Sequence, residues 1–289
     1  CSCSQPIFAS HRLFNLMKFI LFRHGHSLAN QESRIVSSLE NGTRTTGGPL
    51  GTGFGLSQKG KLEVAKVNGS KESDADSSLI TGKNPPHPNS VRALSDYILA
   101  TIQPYQRARI RILTSPFQRT LQTADIIHQE LNVIIESYRS TLPQDASSTV
   151  PSIYLEHNNG PRKILDLRER FFGEFEMKAP SDDLYSAVWR EDVQNPFHEK
   201  FGVESVATVT ERMTGVVRSE EGDQKDLIGQ SPNDAREEAW VILVSHGDSL
   251  QILQTAMRGW SGDRHRQVEH LDTATWRDVA WCEALSHAH

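Results

Sequence analysis

The chain has 289 residues, of which 37% are hydrophobic and 23% charged, and its formal net charge is −5 at pH 7. This composition is typical of a globular chain with a full core, and the negative charge argues against a protein that binds nucleic acid by electrostatic attraction. The sequence contains no apolar run near the roughly 20 residues that a membrane-spanning helix needs. Its three cysteines, Cys1, Cys3 and Cys282, are too few for a disulfide framework, so we expect a cytoplasmic protein.

Residues 1–16 precede the first methionine, Met17, and we expect them to form a leader outside the core. The leader has a basic residue and no acidic one, which is typical of targeting segments, although translated upstream sequence would look the same. We expect residues 17–289 to form a single domain. Within it, three polar segments are predicted to be irregular insertions: residues 68–89, 138–162 and 220–238.

The first predicted strand is the apolar run 19–22, which ends at Arg23-His24-Gly25. Open α/β sheets place their active sites at the carboxyl ends of strands, and a glycine there lets the backbone turn sharply. An arginine fork binds phosphate oxygens, while a neutral histidine nitrogen can attack phosphorus. The triplet therefore predicts a phosphate site, provided that later segments supply the rest of it.

The remaining elements follow from periodicity and turn residues. In the first half, the sequence predicts a loop over 31–55, a helix to residue 67 capped by Ser57, helices over 90–105 and 117–131, and strands over 109–114 and 133–135. In the second half, it predicts helices over 182–190, 204–217 and 249–258, a solvated acidic loop over 220–238, and strands over 241–244 and 273–279. Because strands and helices alternate, we predict an α/β fold with three layers, α/β/α, around a central, mostly parallel sheet.

Two further strand ends resemble the first. The strand over 241–244 ends at Ser245-His246-Gly247, and the strand over 109–114 is followed by a helix with Arg119 in its first turn. Carboxyl ends of neighbouring parallel strands lie at one edge of a sheet. Two arginines, two histidines and a helix amino terminus at that edge would form a site for a phosphate oxyanion.

On these residues the chain resembles the histidine phosphatase superfamily, also called the phosphoglycerate mutase-like family. Residues 23–30 resemble its Arg-His-Gly-Glu-Ser-x-x-Asn signature, and residues 115–124 its Ser-x-x-x-Arg-Ala-x-Gln-Thr-Ala motif. Residues 167–173 resemble the acid-bearing Leu-x-Glu-x-x-x-Gly motif. Three shorter matches lie at residues 55–60, 202–205 and 245–247. The six segments follow the family's order over about 17–279.

The resemblance implies that His24 is the nucleophile that becomes phosphorylated, that Glu169 gives a proton to the leaving oxygen, and that His246 is also catalytic. The implied ligands of the phosphoryl group are Arg23, Asn30, Arg119, His246 and Gly247. His26 occupies a position where the family usually has Glu or Gln, so we expect it to affect substrate specificity.

The implied activity is hydrolysis of phosphomonoesters through a phosphohistidine, with no metal or other cofactor, on a small phosphorylated substrate. A phosphoprotein substrate and a phosphoglycerate mutase-type transfer remain alternatives. We predict no nucleic-acid or membrane partner, and the oligomeric state stays open.

Two other classes were compared with this hypothesis. His24-Gly25-His26 matches the His-x-His metal motif of amidohydrolase barrels, but the later His, Lys and Asp ligands of that fold are missing from the sequence pattern. A non-catalytic module with a phosphate pocket is disfavoured, because every proposed catalytic residue type is present.

Overall fold

The computed structural model describes residues 17–65, 91–102, 107–141, 152–156, 160–230 and 237–281. The strands in these ranges form one sheet: β1 Met17–Arg23, β2 Arg107–Thr114, β3 Ser152–Leu155, β4 Arg162–Lys163, β5 Glu237–Ser245 and β6 Trp276–Val279. Their order is β3-β2-β5-β1-β6, with β4 also paired to β2. Every pairing is parallel except that of β6 with β1. The predicted mostly parallel sheet is confirmed.

The α-helices in the described ranges are α1 Leu28–Gln31, α2 Leu39–Thr43, α3 Gln58–Ala65, α4 Val91–Thr101, α5 Gln118–Thr141, α6 Asp182–Gln194, α7 Val206–Gln230 and α8 Gly247–Met257. Ser57 caps α3 as predicted, since its Oγ accepts from the Gly60 N–H at 3.1 Å. In this part of the chain, no helix combines the length and the apolar composition needed to cross a membrane.

Helices cover both faces of the sheet. Alternate residues of a strand point to opposite faces, so Ile20 and Phe22 of β1 pack with α3, α4 and α5, while Phe19 and Leu21 pack with α7 and α8. Burial on both faces explains why β1 and β5 read as continuous apolar runs. The predicted α/β/α layers are confirmed. As the sheet is open in the described residues, with β3 and β6 at its edges, the amidohydrolase-barrel alternative is wrong.

The predicted break between a helix and a strand near residue 132 is wrong. Helix α5 continues to Thr141, through the residues assigned to a strand over 133–135. Ile127, Leu131 and Ile135 recur every fourth residue and are all buried, whereas Val133 is 67% exposed. The helical spacing of buried residues therefore outweighs the preference of a β-branched run for strand.

The segment 138–162 is not wholly irregular either. Its first residues end α5, and β3 forms within it because Ile153 and Leu155 pack into the core beside β2. The predicted insertion at 68–89 and the leader lie outside the described residues.

The predicted acidic loop over 220–238 is also wrong. Residues up to 230 belong to α7, and β5 begins at Glu237. Glu220 is fully buried and forms ion pairs with Arg111 of β2 and Arg162 of β4. Acidic side chains that have such buried partners need no solvent, so the charge run does not mark a connector.

The strand register places three strand ends at one edge. Arg23 pairs with Ser245, and Thr114 pairs with Val244. The first residues beyond the strands continue this alignment, since the His24 N–H donates to the Ser245 carbonyl at 3.1 Å. The segments after β1, β2 and β5 therefore begin side by side.

Candidate active site

Three of the predicted site residues meet at this edge. His24 follows β1, His246 follows β5, and Arg119 lies in the first turn of α5. The Arg119 Nε–H points between the rings, 3.1 Å from His24 Nε2 and 3.2 Å from His246 Nδ1. The two ring centroids are 5.2 Å apart, and all three side chains are buried.

The hydrogen bonds of His24 define its tautomer. Nδ1 lies 2.8 Å from the Gly25 carbonyl oxygen, which can only accept, so the ring proton is on Nδ1. Nε2 then carries the lone pair. Burial, followed by the charges of Arg119 and Arg23, holds the pKa of His24 well below its ordinary value. The ring is neutral, with its unprotonated nitrogen facing Arg119.

His246 has the opposite tautomer to that of His24. Nδ1 accepts from Arg119, which places the proton on Nε2, 2.8 Å from Ser115 Oγ. Burial and the Arg119 charge hold the pKa of His246 well below its ordinary value. The side chain is therefore a neutral, oriented imidazole at the end of the central strand.

Arg119 keeps one nitrogen unpaired. Its Nη2 donates to the Val36 carbonyl at 2.9 Å, but its buried Nη1 has no hydrogen-bond partner in the described ranges. Burial lowers the pKa of Arg119 to about 10, so the guanidinium remains charged near neutral pH. A buried cationic donor without a partner is suited to an anion.

The loop that supplies the Val36 carbonyl is fixed by Glu176. The carboxylate accepts from the Ser37 N–H at 2.8 Å and from the hydroxyls of Ser37 and Ser38 at 2.6 and 2.7 Å. These hydrogen bonds lower the pKa of Glu176 against the effect of burial. Glu176 therefore stays ionised and holds the loop against Arg119.

Arg23 also presents unpaired donors. Its Nη1 donates to the Leu271 carbonyl at 2.7 Å and to His270 Nε2 at 2.9 Å. Its Nε is buried and has no partner among the described residues. Burial lowers the pKa of Arg23, and the neighbouring acceptors are both uncharged.

Glu169 is oriented by one of its two oxygens. Oε1 accepts from the Arg170 N–H at 2.9 Å, from the Ser249 N–H at 3.1 Å and from Ser249 Oγ at 3.1 Å. Burial and the nearby charge of Asp248 raise the pKa of Glu169. Neither neighbouring arginine pairs with it, since Arg168 contacts Glu204 and Arg170 contacts Asp192 and Asp248. The carboxyl is therefore suited to carry a proton.

Two predicted residues have structural contacts instead. Asn30 is exposed, and its Oδ1 accepts from the Ser27 N–H at 3.0 Å as part of the cap of α1. His26 is half-buried, and its Nδ1 lies 2.8 Å from Ser57 Oγ. A role of Asn30 at the phosphoryl group and of His26 in specificity both stay predictions.

Gly247 begins α8, whose amino terminus lies at this edge of the sheet. A Cβ at residue 247 would lie 2.8 Å from His270 Cε1 and 3.3 Å from Arg23 Cζ. Glycine is thus required for the close approach of these two side chains, and the helix amino terminus adds partial positive charge.

Four residues of the site were not predicted: Glu176, Tyr185, Ser249 and His270. The Tyr185 ring on α6 packs against Phe172 at 5.4 Å and stacks on Trp189 at 5.2 Å, measured between centroids. Burial and the charge of Glu169 raise the pKa of Tyr185, so it is a neutral phenol. No local motif marks these residues, and Glu176, Ser249 and His270 each contact a partner far along the chain.

No group of three or more His, Cys, Asp or Glu side chains in the described ranges is placed to hold a metal ion. The charged groups that face the two histidines are the guanidinium groups and Glu169. Chemically, the arrangement combines a neutral nitrogen nucleophile, unpaired cationic donors and a protonatable carboxyl.

Comparisons with known proteins identify the family of the chain. The family model of the histidine phosphatase superfamily (branch 1) matches residues 138–284, about half of the chain, a range that includes Glu169 and His246. No curated protein matches the sequence significantly.

Several solved structures have a similar fold, two mycobacterial proteins among them. One, described as mycobacterial hydrolase 1, has 17% identity and a TM-score of 0.50 over 90% of this chain and 87% of its own. A mycobacterial glucosyl-3-phosphoglycerate phosphatase, solved as a complex with VO3, has 17% identity and a TM-score of 0.50 over 90% of this chain and 91% of its own. At this identity the similarity concerns the fold alone.

Proposed function

The chain belongs to the histidine phosphatase superfamily, and from this premise we propose that it hydrolyses phosphomonoesters through a phosphohistidine formed on His24. One observation carries the proposal: a neutral histidine lies beside two guanidinium groups that each have a buried N–H without a partner among the described residues, at Arg23 Nε and Arg119 Nη1. Leaving such donors unsatisfied is costly, and the oxygens of a phosphoryl group would satisfy them.

In the first step, His24 Nε2 attacks phosphorus and the bond to the ester oxygen breaks. The Arg119 Nε–H, which donates to His24 Nε2 at 3.1 Å in the structure, donates to a phosphoryl oxygen instead. The lone pair of Nε2 is then free to attack. Glu169 gives its proton to the leaving oxygen, and its raised pKa favours the protonated form that this requires. The alcohol product departs and the phosphoryl group stays on His24.

In the second step, water attacks the phosphohistidine. Glu169, now a carboxylate, takes a proton from the water, the N–P bond breaks and inorganic phosphate leaves. His24 returns to its neutral form with the Nδ1 proton still donated to the Gly25 carbonyl. The enzyme is thereby restored without an external acid or base.

Charge stabilisation comes from the chain itself. Phosphoryl transfer depends mainly on positioning and on neutralising the equatorial oxygens, which Arg23 and Arg119 can do. A dianionic phosphoryl group beside His246 would raise the pKa of this histidine, so that it would bind as an imidazolium. We therefore propose a metal-independent reaction on a small phosphorylated substrate.

The test is transfer of labelled phosphate to His24. We expect wild type to acquire an acid-labile, base-stable label from a phosphorylated substrate, and His24→Ala to lose the label and turnover while it stays folded. The surface variant His128→Ala on α5 is the matched control. Labelling that persists in His24→Ala would overturn the proposal.

A second assay separates hydrolysis from transfer. With 3-phosphoglycerate and a trace of 2,3-bisphosphoglycerate, a hydrolase releases inorganic phosphate as the main product. Rapid formation of 2-phosphoglycerate with little free phosphate would replace the hydrolase by a mutase.

A further inference from the structure

We propose that His270 is a positioning residue for Arg23: it accepts one Nη1 hydrogen and so turns the Nε–Nη2 edge of the guanidinium toward the phosphoryl group. The inference rests on the proposed function, because it takes the phosphoryl group as the ligand of Arg23.

The donors of Arg23 divide into two sets. The two hydrogens on Nη1 are both used, one by the Leu271 carbonyl at 2.7 Å and one by His270 Nε2 at 2.9 Å. Nε is buried and unpaired in the described part of the chain. A guanidinium anchored through Nη1 presents Nε–H and one Nη2–H in parallel, which is the edge that binds two oxygens of an oxyanion.

The anchor is uncharged. A carboxylate in the place of His270 would hold Arg23 equally firmly but would cancel its charge, as Asp192 does for Arg170 with contacts of 2.7 and 2.8 Å. Two neutral acceptors instead leave the full positive charge for the ligand. This choice of partner distinguishes an anion-binding arginine from a structural one.

His270 can serve only while its Nε2 is unprotonated. Partial burial and the Arg23 charge, with a smaller contribution from Arg266, lower the pKa of His270 to about 4, against the opposing charges of Asp248 and Asp272. The ring is neutral at physiological pH, and the Nε2 acceptor is available throughout that range.

Gly247 makes room for the contact. A Cβ at this position would lie 2.8 Å from His270 Cε1, 3.1 Å from His270 Nε2 and 3.3 Å from Arg23 Cζ. The residue that follows His246 therefore has to be glycine if His270 and Arg23 are to meet as they do. The size of residue 247 and the position of the His270 ring are therefore sterically coupled.

The first test compares His270→Leu with His270→Gln, whose Oε1 can still accept from Arg23. We expect His270→Leu to raise both KM for a phenyl phosphate and Ki for inorganic phosphate about tenfold, since a hydrogen bond to a charged group is lost. His270→Gln should stay within about threefold of wild type on the same scale. His128→Leu is the control, and thermal unfolding of each variant checks that it is folded.

The second test is a double-mutant cycle. Gly247→Ala should weaken phosphate binding in wild type, because the added methyl group displaces the His270 ring and Arg23. In the His270→Ala background the ring is absent, and the same substitution should cost less. A coupling energy of zero between the two positions would contradict this steric coupling.

The outcomes separate the inference from its premise. A wild type that neither binds inorganic phosphate nor hydrolyses phosphate esters removes the proposed function itself. An active wild type whose KM and Ki do not change in His270→Leu overturns the positioning role alone. If His270→Gln loses as much as His270→Leu, an acceptor at this position does not restore phosphate binding and the positioning role is also wrong.

Discussion

Buried arginines occur in two kinds of surroundings in this protein. Arg111 and Arg170 are matched by carboxylates, Glu156 and Glu220 for Arg111 and Asp192 and Asp248 for Arg170, and these partners raise their pKa values.

Arg23 and Arg119 contact carbonyl oxygens and neutral imidazoles, and burial lowers their pKa values. The same residue type therefore stabilises the fold where its charge is compensated, and it is available to an anion where its charge is not.

This difference between the arginines also explains why Glu169 forms no ion pair with the arginines on either side of it. Arg170 follows it in the chain but is bound by Asp192 through both Nη atoms, while its Nε donates to the Glu204 carbonyl at 2.8 Å. The paired region thus keeps an arginine away from the carboxyl that the proposed reaction needs in its protonated form.

The largest effect is expected for Arg119→Leu. Removing this guanidinium should lower kcat/KM about 10³-fold or more, since a cationic donor that contacts a transferring phosphoryl group contributes at that scale. The melting temperature should hold or rise, because the variant no longer buries an uncompensated charge. Activity and thermal unfolding are measured on one preparation of the variant. A loss of melting temperature together with the loss of kcat/KM would contradict the distinction between the two kinds of arginine.

Arg111→Leu should give the opposite result. It leaves the fully buried Glu220 with Arg162 but without its partner on β2, so the free energy of unfolding should fall by about 1–3 kcal/mol. The kcat/KM of the folded fraction should not change. Urea denaturation and activity measure the two quantities, and the double variant Arg111→Leu with Glu220→Leu should recover much of the stability. A large loss of kcat/KM would show that the two regions are not independent.

Glu169→Gln should have a smaller effect that depends on the leaving group. With alkyl phosphates kcat should fall about 10²-fold, whereas with p-nitrophenyl phosphate, whose leaving oxygen needs no proton, it should change little. Equal losses on both esters would contradict the assignment.

The pH dependence follows from the same group. Only protonated Glu169 can act as the acid, and its pKa lies above the ordinary value. Activity of wild type on alkyl phosphates should therefore fall as the pH rises through that raised pKa. The corresponding limb of the pH profile should be absent in Glu169→Gln.

The sequence contained much of the fold and the centre of the site. β1 and β5 are continuous apolar runs, and their ends carry His24 and His246 beside glycines, so the sheet and the edge that holds the candidate site could be predicted. Arg119 was also predictable, from its place one turn into a helix.

What the sequence did not contain was the identity of distant partners. Glu220 lies in a segment predicted to be solvated, because no residue near it in the sequence shows that Arg111, 109 positions away, is buried with it. His270 was not predicted as a site residue because its contact with Arg23 spans 247 positions. The β-branched residues after Leu131 favour a strand by local preference. This preference carries no information about which side of a helix is buried, so the continuation of α5 could not be predicted from it.

The order of the strands has a consequence for how the protein is made. Both sheet neighbours of β1 in the described residues, namely β5 and β6, follow it by most of the domain, so β1 leaves the ribosome well before residues 237–245 are available to pair with it. Until β5 has been made, this apolar strand is available to pair with other chains. Chains that stop before β5 should aggregate rather than accumulate as partly active fragments, and the yield of folded protein should depend on chaperones that shield nascent strands.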